Sequence, residues 1–222
     1  MKKIGVIAAM EKELLPLLSG VGKSERVAEF PYAVSRITAG ERELYFTQSG
    51  IGEISAGAAT QYLISTFGCE EIWNFGVVGG LTDEMDYNHL SAVRRVVHYA
   101  FDLTAIDPVE KGQYLPQKSR YITADPTLYE KASALLGLTQ GVTLASADKF
   151  VADASEKEYI AKEFDADICD MEGAGIALIC EKNNVPFLMV KAVSDTKNDG
   201  AKFNELVQGA CQGFATVLQK LL

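Results

Sequence analysis

The sequence predicts a single α/β domain built on a mixed sheet, and three observations predict it. Short apolar runs of strand type alternate with segments of helical periodicity from one end of the chain to the other. Residues 4–8 and 187–193 are almost wholly apolar, as strands covered on both faces are. No Pro/Ser-rich linker and no internal repeat divides the 222 residues, a length that one core can fill.

The elements follow in order. Residues 4–8 form the first strand, and residues 11–18 read as the start of a helix. Residues 32–38 and 43–47 alternate apolar and polar around Gly40, which is a hairpin signal. After Gly50-Ile51-Gly52, residues 53–67 carry Ala and larger apolar side chains at helical spacing. Residues 72–75 are a short strand ending at Gly76, followed by a glycine-rich turn. Residues 92–98, β-branched, are another strand, with Arg94 and Arg95 on or near an edge. Asp125 caps a helix over Pro126–Leu136, with Pro126 at its first position. Val142–Ser146 is a strand, and residues 155–164 are a charged helix capped by Ser155. Ile168-Cys169-Asp170 leads into a helix over residues 171–182. Phe203, Val207, Ala210, Phe214, Val217 and Leu221 recur at three- and four-residue steps, predicting an amphipathic closing helix.

Composition removes several functions. Lys and Arg number 21 against 30 Asp and Glu, a net charge of −9, which argues against a nucleic-acid binder. No apolar run approaches the ~20 residues of a membrane span. Lys2 and Lys3 begin like a signal peptide, but Glu11, Lys12 and Glu13 cut the apolar stretch short, so a cytoplasmic protein is expected. Cys69, Cys169, Cys180 and Cys211 lie far apart, without a CxxC and with only two histidines. Buried reduced thiols are expected, not a metal site or a disulfide frame.

Ligands of α/β sheets sit outside the carboxyl ends of strands, so polar residues that follow apolar strands are the first candidates for chemistry. Glu11 and Glu13 follow the first strand: a carboxylate there can activate water, or simply favour the helix dipole. Gly76-Val77-Val78-Gly79-Gly80 lacks both GxGxxG and GK[ST], so a dinucleotide or phosphate loop is disfavoured. Asp170-Met171-Glu172 can set a carboxylate over a sugar or serve as an acidic helix start. Asp195, at the rim of the most apolar strand and four residues after Lys191, is a candidate general acid or an Asx turn. His89 and His98 are isolated, and GxSxG is absent.

Further segments join these: Ile4-Gly5-Val6-Ile7-Ala8-Ala9-Met10-Glu11-Lys12-Glu13-Leu14, Ser49-Gly50-Ile51-Gly52, Asn74-Phe75-Gly76, Asp102-Leu103-Thr104-Ala105 with Gly112-Gln113, Ser146-Ala147-Asp148-Lys149-Phe150-Val151, and Ala192-Val193-Ser194-Asp195. In this order the chain resembles the nucleoside phosphorylase superfamily, most closely the 5′-methylthioadenosine/S-adenosylhomocysteine nucleosidases. The resemblance implies one domain over residues 1–222, a three-layer αβα sandwich with a central mixed, partly barrel-like sheet. It also implies a homodimer whose partner helps cover the 5′ substituent of a purine nucleoside, and no cofactor or metal.

By the same resemblance, Glu13 is the general base that activates water and Asp195 the general acid that protonates purine N7. Met171 and Glu172 hold the ribose, Phe150 stacks on the base, the Val151 backbone reads its edge, and Gly79 lines the site through its backbone. Ile51, Val78, Lys191 and Ser194 complete the implied substrate-binding set. Relatives usually carry a small hydroxyl residue in place of Val77 and Arg in place of Lys191. The segment 106–111 is one residue longer than expected and lacks the usual aromatics, and Arg94 and Arg95 stand where relatives tend to have acids. Hydrolysis of 5′-thioadenosines to adenine is therefore expected. The competing functions are a purine nucleoside phosphorylase, a hydrolase for another nucleoside such as futalosine or a deoxyadenosine, and a catalytically weak nucleoside binder.

Overall fold

The structure, a computed structural model, describes residues 1–197 and 211–222. Ten strands of one sheet and six α-helices are present among the described residues. In chain order they are β1 (Lys2–Ala8), α1 (Glu11–Val21), β2 (Glu25–Ala28), β3 (Val34–Ala39), β4 (Arg42–Gln48), α2 (Glu53–Tyr62), β5 (Glu71–Gly80), β6 (Leu90–His98), β7 (Tyr121–Thr123), α3 (Pro126–Leu136), β8 (Val142–Ser146), α4 (Ala154–Phe164), β9 (Ile168–Asp170), α5 (Gly173–Asn183), β10 (Phe187–Asp195) and α6 (Gln212–Leu221).

The strand order is β10-β6-β8-β9-β5-β1-β4-β3-β2, and β10 also pairs with β5. Strands β5, β10, β6, β8 and β9 therefore close into a ring, while β1, β4, β3 and β2 extend from it as an open wing. The free end of the wing, β2, has four residues, with Glu25 and Arg26 exposed and a register shift before Ala28. Every residue of β5 and β10 is buried.

Alternation along β1 shows how the layers form, because successive side chains leave a strand on opposite faces. Ile4, Val6 and Ala8 join Phe75, Leu188 and Phe214 in the core beneath α1, α3 and α6. Ile7 points the other way, into the core with Ala56, Ala177 and Cys180 beneath α2 and α5. A third cluster, with Val97, Ile160 and Phe164, seats α4. The result is the expected αβα sandwich on a mixed, partly barrel-like sheet.

Several local expectations are corrected. Strand β5 does not stop at Gly76 but continues to Gly80, so the glycine-rich segment is strand, not turn. None of Gly76, Gly79 and Gly80 has a positive φ. Their role is close approach: a Cβ at Gly76 would lie 3.4 Å from Glu13 Oε1 and 3.5 Å from Lys191 Nζ. Strand β6 is flanked by β10 and β8 and also pairs with β7, so Arg94 and Arg95 are not at an edge. A register shift between Val93 and Arg95 lets Arg94 face solvent, while Arg95 bonds Thr143 and Asp165. Helix α4 is capped by Asp153, which accepts from Glu156 N at 2.9 Å, and not by Ser155. Helix α2 ends at Tyr62 and passes into a π-helical turn over Leu63–Phe67. Helix α5 begins at Gly173, leaving Met171 and Glu172 on the irregular segment before it. The short strands β2 and β7 carry no strong alternation and were not expected. Phe203, Val207 and Ala210 of the closing helix lie outside the described residues, whereas Phe214, Val217 and Leu221 are buried on α6 as expected.

Candidate active site

A cavity of about 270 Å³ opens where β1, β5, β9 and β10 end. Nine of the eleven residues expected from sequence line it: Glu13, Ile51, Val78, Gly79, Phe150, Met171, Glu172, Ser194 and Asp195. Val151 faces a smaller adjoining pocket that shares Gly79, Phe150, Met171 and Asp195. Lys191 is not in the wall of either; it stands behind the cavity, buried on β10. No Lys or Arg lines the main cavity among the described residues.

Glu13 stands both at the start of α1 and in the cavity wall. Its Oε2 accepts from Met10 N at 2.8 Å and caps α1, while Oε1 accepts from Val77 N at 2.9 Å. Burial pushes its pKa up; the backbone donors of Val77 and Met10 and the charge of Lys191 oppose that rise. A carboxylate so placed is rigid and more basic than a surface glutamate, as a general base must be.

Behind it runs a chain of buried polar groups. Lys191 Nζ donates to Asp170 Oδ2 at 2.7 Å. Burial alone would lower the Lys191 pKa, but Asp170, Glu172 and Glu13 outweigh it and hold the ammonium charged. Asp170 Oδ1 and Glu53 Oε1 both lie within hydrogen-bond reach of the Ser146 hydroxyl. A hydroxyl has one proton to give, so the two carboxyls compete for it. Burial and the neighbouring Asp170 push the Glu53 pKa up to about 7. Glu172, at the cavity wall, accepts from Gly52 N at 3.0 Å and is pushed up to about 8 by burial and by Asp170.

These shifts set a pH dependence of stability. Glu53 and Glu172 hold protons in the folded state that the unfolded chain releases near the ordinary value of 4.5. Their contribution is complete below that value and is lost as pH rises through about 7 and about 8. The thermal midpoint is expected to fall between about pH 4.5 and about pH 8 and to level off above that. Glu53→Gln mimics the protonated acid, since its amide can donate to Ser146 and accept from Gly175 N. Calorimetry on this variant should show the decline reduced, and an equal decline in both proteins would refute the assignment of the proton to Glu53.

At the opposite wall, Asp195 is buried beside Gly79, where a Cβ would stand 3.0 Å from Oδ2. Ser194 Oγ lies 3.1 Å from its Oδ1. Lys157 Nζ, fully buried on α4, donates to Oδ2 at 2.6 Å and to the Thr196 carbonyl at 2.8 Å. Sequence reasoning gave no role to Glu53 or Lys157. The signal for Lys157 was present: it lies three and seven residues before Ile160 and Phe164, on the apolar stripe of α4. Glu53 had no such mark, because its partners come from β8, β9 and α5.

A ring of strands with four buried acidic residues in the wall of one cavity, Glu13, Asp170, Glu172 and Asp195, and no Lys or Arg there among the described residues, makes a candidate site for acid–base chemistry. The chain belongs to the phosphorylase superfamily, whose family model matches residues 3–222. It is similar to an aminodeoxyfutalosine nucleosidase of Helicobacter pylori, 28% identical over 232 residues that cover 100% of this chain and 99% of the relative. It is also 31% identical over 204 residues to a 5′-methylthioadenosine/S-adenosylhomocysteine nucleosidase of Shewanella sediminis, covering 89% and 87% of the two chains. Among solved structures, a Helicobacter pylori 5′-methylthioadenosine/S-adenosylhomocysteine nucleosidase in complex with a pyrrolidine-based inhibitor superposes with a TM-score of 0.92 at 27% identity, covering 99% of this chain and 97% of that one. With such relatives, the chain is an enzyme of the N-glycosidase class.

Proposed function

We propose that this protein hydrolyses the N-glycosidic bond of 5′-methylthioadenosine and S-adenosylhomocysteine, releasing adenine. The observation that carries the choice of water over phosphate is the pairing of Lys191 with Asp170, which leaves the Glu13 carboxylate facing a cavity without Lys or Arg among the described residues. A carboxylate would repel phosphate there, whereas it can take a proton from water.

In this reading Glu13 deprotonates the water that attacks C1′. The C1′–N9 bond breaks through a sugar with oxocarbenium character, and Glu172 accepts from its hydroxyls. Asp195 delivers a proton to N7, so the base leaves neutral. Phe150 stacks on the purine while Val151 meets its edge, and Met171, Val78, Ile51 and Ser194 shape the remaining wall. No segment of residues 100–119 lines the cavity. Ile51 and Ile54 are 58% and 84% exposed nearby, which supports a homodimer whose second subunit covers the 5′ group.

A second reading, hydrolysis of aminodeoxyfutalosine, is favoured by the Helicobacter pylori relative that this chain matches over its whole length. Chromatography of the bases released from methylthioadenosine, S-adenosylhomocysteine, aminodeoxyfutalosine and adenosine, with and without phosphate, separates the readings. Adenine from the two thionucleosides without phosphate is expected. Cleavage confined to aminodeoxyfutalosine would move the substrate, and phosphate-dependent release would make the protein a phosphorylase. Binding without release would leave a nucleoside-binding protein.

A further inference from the structure

We propose that Lys157 is the proton reservoir of Asp195: it holds the proton that the acid delivers, and passes it on when the nucleoside closes the site. The inference rests on the reading of Asp195 as the general acid. It begins with a conflict in the geometry around Asp195. A general acid must carry a proton, yet the Asp195 carboxyl accepts a hydrogen bond from an ammonium 2.6 Å away, the geometry of a carboxylate in an ion pair.

The surroundings resolve the conflict. Lys157 is 0% and Asp195 1% exposed, and the carboxyl lies against the Gly79 backbone at the cavity wall. Two arrangements of the single shared proton differ only in its position along the Nζ–Oδ2 line. One is an ammonium with a carboxylate, and the other is a neutral amine with a carboxylic acid. Water stabilises the first, because both of its partners are charged, and a dry site shifts the balance towards the second. A purine seated over Gly79 and Phe150 displaces the water of the cavity, so binding itself favours loading the acid.

The step balances. The Lys157 Nζ–H bond breaks and an Asp195 O–H bond forms. That O–H then breaks as N7–H forms, while the electron pair of the C1′–N9 bond passes into the purine. Lys157 is left as a neutral amine with Asp195 as a carboxylate, and solvent reprotonates the amine after the base leaves. The Thr196 carbonyl, 2.8 Å from Nζ, keeps the amine aimed at Oδ2 throughout. Lys157 thus acts through Asp195 and need not touch the nucleoside.

The test uses the full chain and base release from methylthioadenosine. Lys157→Met keeps length and apolar bulk but stores no proton, and kcat is expected to fall about 10²-fold with KM little changed. In Lys157→Ala, added ammonium and small alkylamines should restore turnover, with the rescued rate following amine basicity at matched size. A merely structural lysine would give rescue that follows amine volume alone, and that result would overturn the proposal. So would a kcat for Lys157→Met within about twofold of the parent. Should neither variant fold, nitrogen NMR of ¹⁵N-lysine protein decides on the parent chain. The Lys157 signal should move from the ammonium to the amine position on binding an uncleavable C-nucleoside of adenine, and an unmoved signal would refute the reservoir. Asp195→Asn separates the two levels: activity in that variant would remove the general acid itself, whereas an inactive Asp195→Asn beside a fully active Lys157→Met would remove only Lys157.

Discussion

Asp195→Asn is expected to lower base release by ~10²–10⁴-fold, the range for loss of a general acid. The side chain keeps its shape, so the nucleoside should still bind and KM should change far less than kcat. An asparagine oxygen can still accept from Lys157, but the buried ammonium then lacks a counter-charge. Breaking a buried pair costs up to about 3–5 kcal/mol, so the variant should melt earlier while remaining folded at room temperature. Single-turnover assays with binding measured in parallel check this. Turnover near the parent rate in a folded protein would exclude Asp195 as the acid.

Glu13→Gln should cause a loss of similar size, and for two reasons that can be separated. The amide cannot take a proton from water, which removes the base. It also has only one oxygen to offer to two backbone donors, Met10 N and Val77 N. The second donor then faces an NH₂ group, with a cost of about 1–3 kcal/mol for the unsatisfied N–H. Glu13→Gln should therefore lose activity and lower the denaturant midpoint together, whereas Glu11→Gln, on the exposed side of the same first turn, should change neither. A folded Glu13→Gln with parental kcat would exclude the base assignment.

Much of this site was legible in the sequence because each of its main carboxylates stands at or soon after the end of a strand. Glu13 follows β1, Glu172 follows β9 and Asp195 ends β10, so an apolar run and the polar residue after it mark each position. The element pattern was legible for the same reason, with Asp125 and Pro126 setting the start of α3 and Gly40 the β3–β4 turn. What escaped was whatever depends on contact between distant segments. Gly76–Gly80 resembles a turn by composition, and becomes strand because it pairs with β10 and β9, while its glycines leave room for Glu13, Lys191 and Asp195. Lys191 reads as a ligand contact until Asp170, from another strand, claims its charge. Glu53 carries no signal in the sequence, since Ser146, Asp170 and Gly175, which set its surroundings, come from distant segments.

The closure of β10 onto β5 has a consequence for how the protein behaves in a crowded solution. A sheet grows into aggregates through strands whose outer N–H and C=O groups are unpaired. The ring that carries the site ends in no such strand on the β10 side, and β7 offers only three residues. Recruitment of a foreign strand is left to the far end of the wing. There β2 is short, charged at Glu25 and Arg26, and out of register before Ala28, which blunts the template. The cavity is thus kept at the end of the sheet least able to adhere to a neighbour, and substitutions that made β2 longer or more apolar would be expected to bring on aggregation while leaving the active site intact.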